Sequence, residues 1–476
     1  MSPVRRWVVC ALIALGVLAT SAGPALAHAT LVSSTPRAGD RVLGNGSADV
    51  QGRSPHTTLR FSEAVQILNR SDVTIVDGRG IRVDSGTPRT APGDPRQVTI
   101  PLRGPLVPSS YTVRYRVVSA DSHAAAHGFV FAVGHARLAS PILAGSGGLS
   151  DTSPAAVAAR VMELAALGLL VGLLAFRALV WRPALEAAAG PGTAARETAL
   201  RHGQRLFWRA FWALTVVAGV AEIAVLAAKS AVVFHTGLLG AVLDPAAGLR
   251  LVGASRFGDL LGWRCGALLA LVAVAFVIWT LERAGAPSAG RRGPIALMAL
   301  LGVAALTLLA SQGHASQAPL APLSIAADAA HLSGAAIWVG GLPCLIVVLL
   351  RAPRALPDAG RALASATLSR FSRVALWSVA VIAVTGLARM AGELSAPAQL
   401  LTTDYGRDLM LKASLLLPIL VLARRNRRVV AALEGGLMPT AAGLRAVARS
   451  VRMELAIAMA IVTVAALLVA QIPGRT

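Results

Sequence analysis

The chain has 476 residues, 55% of them hydrophobic, and a mean hydropathy of +0.64, which excludes a single water-soluble domain. Its formal net charge of +22 comes from 45 Lys+Arg against 23 Asp+Glu. The arginines cluster between long apolar runs, so membrane topology accounts for them and no nucleic-acid partner is expected. Of the three cysteines, Cys10 lies in a leader and Cys265 and Cys344 lie in apolar runs, which leaves no disulfide framework and no Cys-x-x-Cys metal site.

Residues 1–27 carry a basic start (Arg5, Arg6), an apolar core from Trp7 to Ala19 and the processing pattern Ala25-Leu26-Ala27. This is the pattern of a secretory signal peptide. Cleavage after Ala27 makes His28 the first residue of the mature chain, whereas an uncleaved anchor would bury its α-amine in a peptide bond. From 28 to 134 the pattern changes to a period of two. Thr58–Ser62, Asp72–Val76, Gln97–Ile100, Tyr111–Val117 and Gly128–Val133 read as half-buried strands. Pro36, Asp77-Gly78, Gly86, Pro92-Gly93 and Pro108 supply the turns. About seven short strands imply an all-β Greek-key sandwich, antiparallel in its pairing. Residues 135–153, with Gly145, Gly147 and Gly148, read as a flexible linker.

From 154 to 476 long apolar runs dominate, and an all-α polytopic membrane bundle of about eight helices is expected. Each run is long enough to cross a hydrocarbon core of about 30 Å. The spans fall near 154–181, 207–234, 259–281, 294–312, 320–350, 371–392, 405–423 and 453–470. The even connections hold the arginines: Arg182, Arg196, Arg201 and Arg205; Arg283, Arg291 and Arg292; Arg351, Arg354, Arg361 and Arg370; then Arg424 through Arg449. The odd ones hold little beyond Arg250 and Arg256. That bias makes the even connections cytoplasmic and the sandwich extracytoplasmic, on a multi-pass protein of the plasma membrane.

A free N-terminal His28 offers an amine and an imidazole that close one chelate ring. Asp121-Ser122-His123 adds a carboxylate and a second imidazole on one face of an extended strand. Three nitrogens and an oxygen suit tetragonal Cu(II), and no methionine between His28 and Ser153 offers a thioether for Cu(I). As a bare pattern Asp-x-His carries little weight. His56, His127 and His135 are left over, and His127 is close enough to His123 to replace it.

Ionisable groups inside spans are costly and mark a pathway or an internal pair. Asp328 and His331 share one helical face, with His314 near them in height. Two readings stand: a transport or metal role, or a pair bonded to each other or to backbone between helices. Glu163 and Glu222 are further buried candidates, and Met162, Met390 and Met410 are soft ones. Glu454, among Arg449 and Arg452, reads as a structural ion pair.

The run from His28 to Gly39 resembles the mature start of CopC-type periplasmic copper-binding proteins. Leu59–Val65, and Tyr111–Tyr115 through Asp121-Ser122-His123 to Gly128-Phe129, resemble that family's next strand and its metal segment. The resemblance implies a Cu(II) site at His28, Asp121 and His123, with the His28 α-amine included. Asp328–His331 followed by Ile337-Trp338-Val339-Gly340-Gly341-Leu342 resembles CopD-type copper-resistance membrane proteins. Arg370-Phe371-Ser372, Tyr405-Gly406-Arg407 with Leu411-Lys412, and Arg424-Arg425-Asn426-Arg427 are similar to that family's later signatures.

The order implies a non-enzymatic copper-acquisition protein, with copper ions and the lipid bilayer as partners and other copper-handling proteins as candidates. The exported domain would bind Cu(II) and pass it to a membrane domain that imports it through His314, Asp328 and His331, with Glu163 as a further candidate. No P-loop pattern is present to couple ATP to movement. The alternatives are a buffering or sensing protein without transport, and a membrane haem oxidoreductase. Haem is disfavoured because His331 is the one histidine well inside a span and bis-histidine ligation needs a facing pair.

Overall fold

The computed structural model describes residues 29–42, 56–68, 70–119, 124–139, 153–188, 193–234, 236–284, 292–312, 321–356, 359–393, 399–402, 404–434 and 440–470. Its first part is a β-sandwich. One sheet holds β1 (Leu31–Thr35), β3 (His56–Phe61), β7 (Asp94–Pro101) and β6 (Arg89–Ala91), in that spatial order. The other orders β2 (Arg41–Val42), β9 (Ala124–Val133), β8 (Ser109–Ser119) and β4 (Val65–Gln66), with β5 (Val73–Asp77) also paired to β8. Pairing is antiparallel except between β2 and β9, which run parallel.

Alternation places the core. Leu59 and Phe61 of β3 meet Tyr111, Val113, Tyr115 and Val117 of β8 in one buried cluster between the sheets. Tyr111 stacks on Phe131 with ring centroids 5.4 Å apart, and Phe61 meets Tyr115 edge-on at 5.3 Å. Each such side chain contributes roughly 1.5–3 kcal/mol by leaving water, so this core suffices without a disulfide. β5 breaks the alternation: all five of its residues are buried. The segment 82–84 covers its free edge, where Asp84 accepts the Ile75 N–H at 3.0 Å and the Val83 N–H reaches the Ile75 carbonyl at 2.9 Å. An otherwise open strand edge is thereby closed.

The second part is helical. It comprises α1 (Pro154–Ala188), α2 (Ala194–Phe234), α3 (Leu238–Leu243), α4 (Pro245–Ala254), α5 (Arg256–Arg283) and α6 (Arg292–Ala310). There follow α7 (Ala321–Ala355), α8 (Gly360–Glu393), α9 (Gln399–Thr402), α10 (Asp404–Glu434) and α11 (Ala441–Ala470). Ser153 caps α1 by accepting from Ala156 N, with Pro154 in the first turn where its missing N–H costs nothing. Asp244 and Ser255 cap α4 and α5 in the same way.

Eight spans are expected, and six helices among the described residues are long and apolar enough to cross a membrane: α1, α2, α5, α7, α8 and α11. The other two expected spans coincide with helices that fall short of that test. The apolar part of α6, Pro294–Ala310, is a shorter apolar helix. In α10, Arg407, Asp408 and Lys412 at one end and Arg424 onward at the other leave a brief uncharged stretch.

Two glycines let α1 and α7 meet backbone to backbone. A Cβ on Gly340 would lie 2.5 Å from the Gly168 carbonyl oxygen, and one on Gly172 would overlap the Ala336 carbonyl. Within α1 a π-helical turn spans Phe176–Trp181. The sandwich is seated on the bundle: Val118 of β8, with Leu68 against it, shares a buried cluster with Ala159, Val225, Leu251, Phe257 and Leu261. The resting place of β8 is therefore the α1, α2, α4 and α5 end of the helices.

Candidate functional site

Three of the residues expected to hold Cu(II), His28, Asp121 and His123, lie outside the described residues, as does His314. The backbone leading to them is described. Thr30 is bonded twice to Ser62: its N–H donates to Ser62 Oγ at 3.0 Å, and its carbonyl accepts the Ser62 N–H at 2.9 Å. Ser119, the last residue of β8, pairs with Val65. The segment at Thr30 and the strand that runs into Asp121 thus both meet the short turn between Phe61 and Val65. Glu63, on that turn, is buried at 6% exposure. It sits inside the Leu59–Val65 run but carries no spacing signal, so sequence reasoning does not find it. His127 is exposed on β9, opposite Tyr115, and His56 starts β3 against Pro101.

Beneath the seat of Val118, one turn of α1 below Ala159, lies a buried charge cluster. Arg264 of α5 donates to Glu163 of α1 at 2.6 Å, and to Glu222 of α2 at 2.8 Å through Nε and 2.5 Å through Nη2. Arg160 closes on the second Glu163 oxygen at 2.7 Å. Glu163 and Arg264 are fully buried. Two arginines balance two carboxylates, three of the four groups being buried and Arg160 partly exposed, and such pairing is what a buried charge requires. Arg264 Nη1 is buried with no hydrogen-bond partner among the described residues. Sequence reasoning reached Glu163 and Glu222 but missed Arg264 and Arg160. The available signal was an arginine inside an apolar run, Gly262-Trp263-Arg264-Cys265.

Asp328 and His331 sit on a different face of the bundle. Both reach across to α8: Arg389 Nε lies 2.7 Å from Asp328 Oδ1, and His331 Nδ1 lies 3.0 Å from Thr385 Oγ1. The Thr385 hydroxyl donates to the Val381 carbonyl at 2.7 Å, so toward His331 it accepts. In the tautomer that donates from Nδ1 to this hydroxyl, Nε2 keeps its lone pair, the nitrogen a metal would take. Gly386 of α8 lies beside the ring, where an added Cβ would meet His331 Cε1 at an ordinary contact distance of 3.5 Å. Glu163 faces α2 and α5 while His331 faces α8, so the structure does not bring these candidates together. Among the described residues no three His, Cys, Asp or Glu side chains converge as a metal group would require. Met162 and Met390 are half-buried and Met410 is exposed at 37%. Glu454 accepts from Asn426 at 2.7 Å, a buried polar pair in place of the expected ion pair with Arg449 or Arg452.

The remaining motif residues build a frame. In Trp338-Val339-Gly340-Gly341, Gly340 meets α1 and Gly341 faces Phe371, whose Cε2 would be 2.5 Å from an added Cβ. Phe371 also packs on Phe176 at 6.1 Å. Arg370 caps the π-helical turn through the Leu179 carbonyl, Ser372 accepts from Arg427 at 3.2 Å, and Asn426 beside it holds Glu454. These short motifs therefore lock α1, α7, α8, α10 and α11 to one another.

Three family models match the chain: CopC domain over residues 31–134, Copper resistance protein D-like, N-terminal domain over 150–320, and Copper resistance protein D over 365–468. The chain is a CopC–CopD fusion. It is similar to the Copper transport protein CutJ of Bacillus subtilis (strain 168), 25% identical over 425 residues that cover 88% of this chain and 70% of that protein. Among solved structures, CopC from Methylosinus trichosporium OB3b is 28% identical, covering 24% of this chain and 100% of its own, with a TM-score of 0.18. PcoC, a methionine-rich copper resistance protein from Escherichia coli, is 27% identical, covering 22% of this chain and 99% of its own, with a TM-score of 0.17. The fusion belongs among copper resistance and transport proteins.

Proposed function

We propose that the fusion is a copper importer whose exported sandwich captures Cu(II) and hands it directly to the helices beneath. The observation that carries this reading is the seat of β8. The strand that runs into Asp121-Ser122-His123 rests through Val118 on α1, α2, α4 and α5. The capture ligands are His28, with its α-amine, Asp121 and His123. The first acceptor in the bundle is the Glu163–Glu222 pair, one turn below the contact, where Arg264 is the resident cation that an arriving ion exchanges for. Asp328 and His331 form a second stop on the α8 side, and His314 is proposed to act with them.

In this reading the sandwich is extracytoplasmic and the arginine-rich connections are cytoplasmic. The alternation of those connections supports α6 and α10 crossing as well, for eight spans in all. The cargo is Cu(II) at the sandwich and Cu(I) or Cu(II) in the bundle, and no chemical step beyond ligand exchange is involved. The test is the copper content of cells grown at limiting copper with and without the protein. Import requires content to fall when the protein is removed. A rise would replace import by efflux or buffering.

A further inference from the structure

A second region of the bundle is unexplained by copper. Between α1, α2 and α7 lies a cavity of 1240 Å³, larger than the roughly 300–1,000 Å³ of small-molecule pockets. Its two ends differ in chemistry. Toward the middle of the helices it is walled by Leu169, Leu173, Phe207, Leu214 and Gly340. At the other end stand Arg182 after the π-helical turn of α1, Arg196 at the start of α2 and Arg351 near the end of α7.

The charge balance at that end is positive. Glu282, on the cavity wall, is consumed internally: it accepts from Arg177 and from Trp208 Nε1, each at 2.7 Å, and from Gln204. The guanidinium groups of Arg182, Arg196 and Arg351 have no ion-pair partner among the described residues. One exposed carboxylate, Glu186, lines the same end. Three arginines lining one end of the cavity make it a poor exit for a copper cation. They complement an anion, and the apolar depth above them complements hydrocarbon.

We propose that this cavity holds one anionic phospholipid, its phosphate at Arg182, Arg196 and Arg351 and its acyl chains along Leu169, Leu173, Phe207 and Leu214. Basic pockets between membrane helices take anionic headgroups in this manner. The π-helical turn Phe176–Trp181 shapes the site by advancing Trp181 and Arg182 around the helix, and Gly203 lets α2 close on Trp181, since a Cβ there would be 2.7 Å from Trp181 Cζ2. The proposal is independent of the copper reading.

The test uses the full chain in a mild non-ionic detergent, with thermal unfolding and native mass spectrometry as readouts and three additives compared: phosphatidylglycerol, phosphatidylcholine and inorganic phosphate. Phosphatidylglycerol should raise Tm and be retained as a one-to-one adduct, while the other two do neither. In the combined variant R182Q/R196Q/R351Q, affinity should fall about 100-fold, at roughly fivefold per arginine. The variant R425Q/R428Q, outside the cavity, should bind as the parent does. An equal response to phosphatidylcholine would reduce the cavity to an apolar gap, and an equal response to phosphate to a free-anion site. Either outcome overturns the proposal without needing the variants to fold, as does unchanged affinity in R182Q/R196Q/R351Q.

Discussion

Arg370 Nε donates to the carbonyl oxygen of Leu179 at 2.9 Å. Leu179 lies inside the π-helical turn of α1, where the widened hydrogen-bond pattern leaves carbonyls in need of partners. Arg370 thus holds α8 to the one irregular turn of α1, next to Phe371 packed on Phe176. Replacing Arg370 by Ala should destabilise the full chain by about 0.5–1.5 kcal/mol, the net worth of one exposed hydrogen bond. Arg370→Lys should recover part of that, since one donor suffices. Thermal unfolding in detergent measures both; equal stability of the alanine variant would show that Leu179 finds another donor.

The α1–α7 contact makes a steric prediction. Gly340 has no room for a Cβ against the Gly168 carbonyl, nor Gly172 against Ala336. Gly340→Ala must therefore push two backbones apart, at about 1–3 kcal/mol or more for overpacking. Gly168→Ala is the control, because a Cβ there meets nothing within 4 Å. A Gly340→Ala protein as stable as Gly168→Ala would contradict the geometry.

The legible parts of this chain are those with a strict period. β8 announces itself by Tyr111, Val113, Tyr115 and Val117, all of them buried. β5 does not show which of its faces is covered, because the Arg82–Asp84 segment that covers it lies outside the strand. Helices are legible as apolar runs, but α6 and α10 show the limit: the apolar part of α6 is short, and charges at both ends of α10 leave it only a brief uncharged stretch. The Gly340-Gly341 motif follows the Asp328–His331 pair in sequence, yet its glycines serve close helix packing. Arg264 escapes notice because its ionic partners on α1 and α2 lie 101 and 42 residues away in sequence. No local pattern encodes such a pairing.

The sandwich should respond to acid through Asp84. Burial alone would raise its carboxyl, but the Arg82 guanidinium at 2.6 Å and the Ile75 N–H outweigh burial and hold it below the ordinary value of 3.8. A folded-state value below the unfolded one means the group adds stability that is complete above about pH 5 and is lost as pH falls through the folded value. Below pH 4 the β5 edge should open first. Hydrogen exchange of the 73–77 peptide, corrected for intrinsic rate, should accelerate there in the parent. Asp84→Asn should be less protected at pH 7 and show little further change on acidification.

The charge cluster under the sandwich separates structure from transport. Arg264→Met leaves Glu163 and Glu222 buried without their shared cation, and breaking a buried pair in this way costs about 3–5 kcal/mol. The combined variant E163Q/E222Q/R264M removes the three buried charges together, leaves only the partly exposed Arg160, and should regain most of that stability. If the cluster were a staple, copper uptake would recover with it. As the first acceptor for copper, the cluster should instead leave the combined variant folded and its uptake at limiting copper strongly reduced. Uptake equal to that of the parent would remove Glu163 and Glu222 from the route.

The capture site depends on processing. Three of its four proposed donor groups are the α-amine and imidazole of His28 and the imidazole of His123, and the amine exists as a donor after cleavage behind Ala27. His28→Ala with cleavage intact keeps the amine and loses one imidazole, so Cu(II) affinity of the purified chain should fall by orders of magnitude. Blocking cleavage with Ala27→Leu should weaken it as well, by removing the amine while every side chain stays. Titration with Cu(II) alone, paired with N-terminal sequencing of each preparation, reads both effects. An affinity unchanged by His28→Ala would exclude His28 as a ligand, and one unchanged by blocked cleavage would exclude the amine.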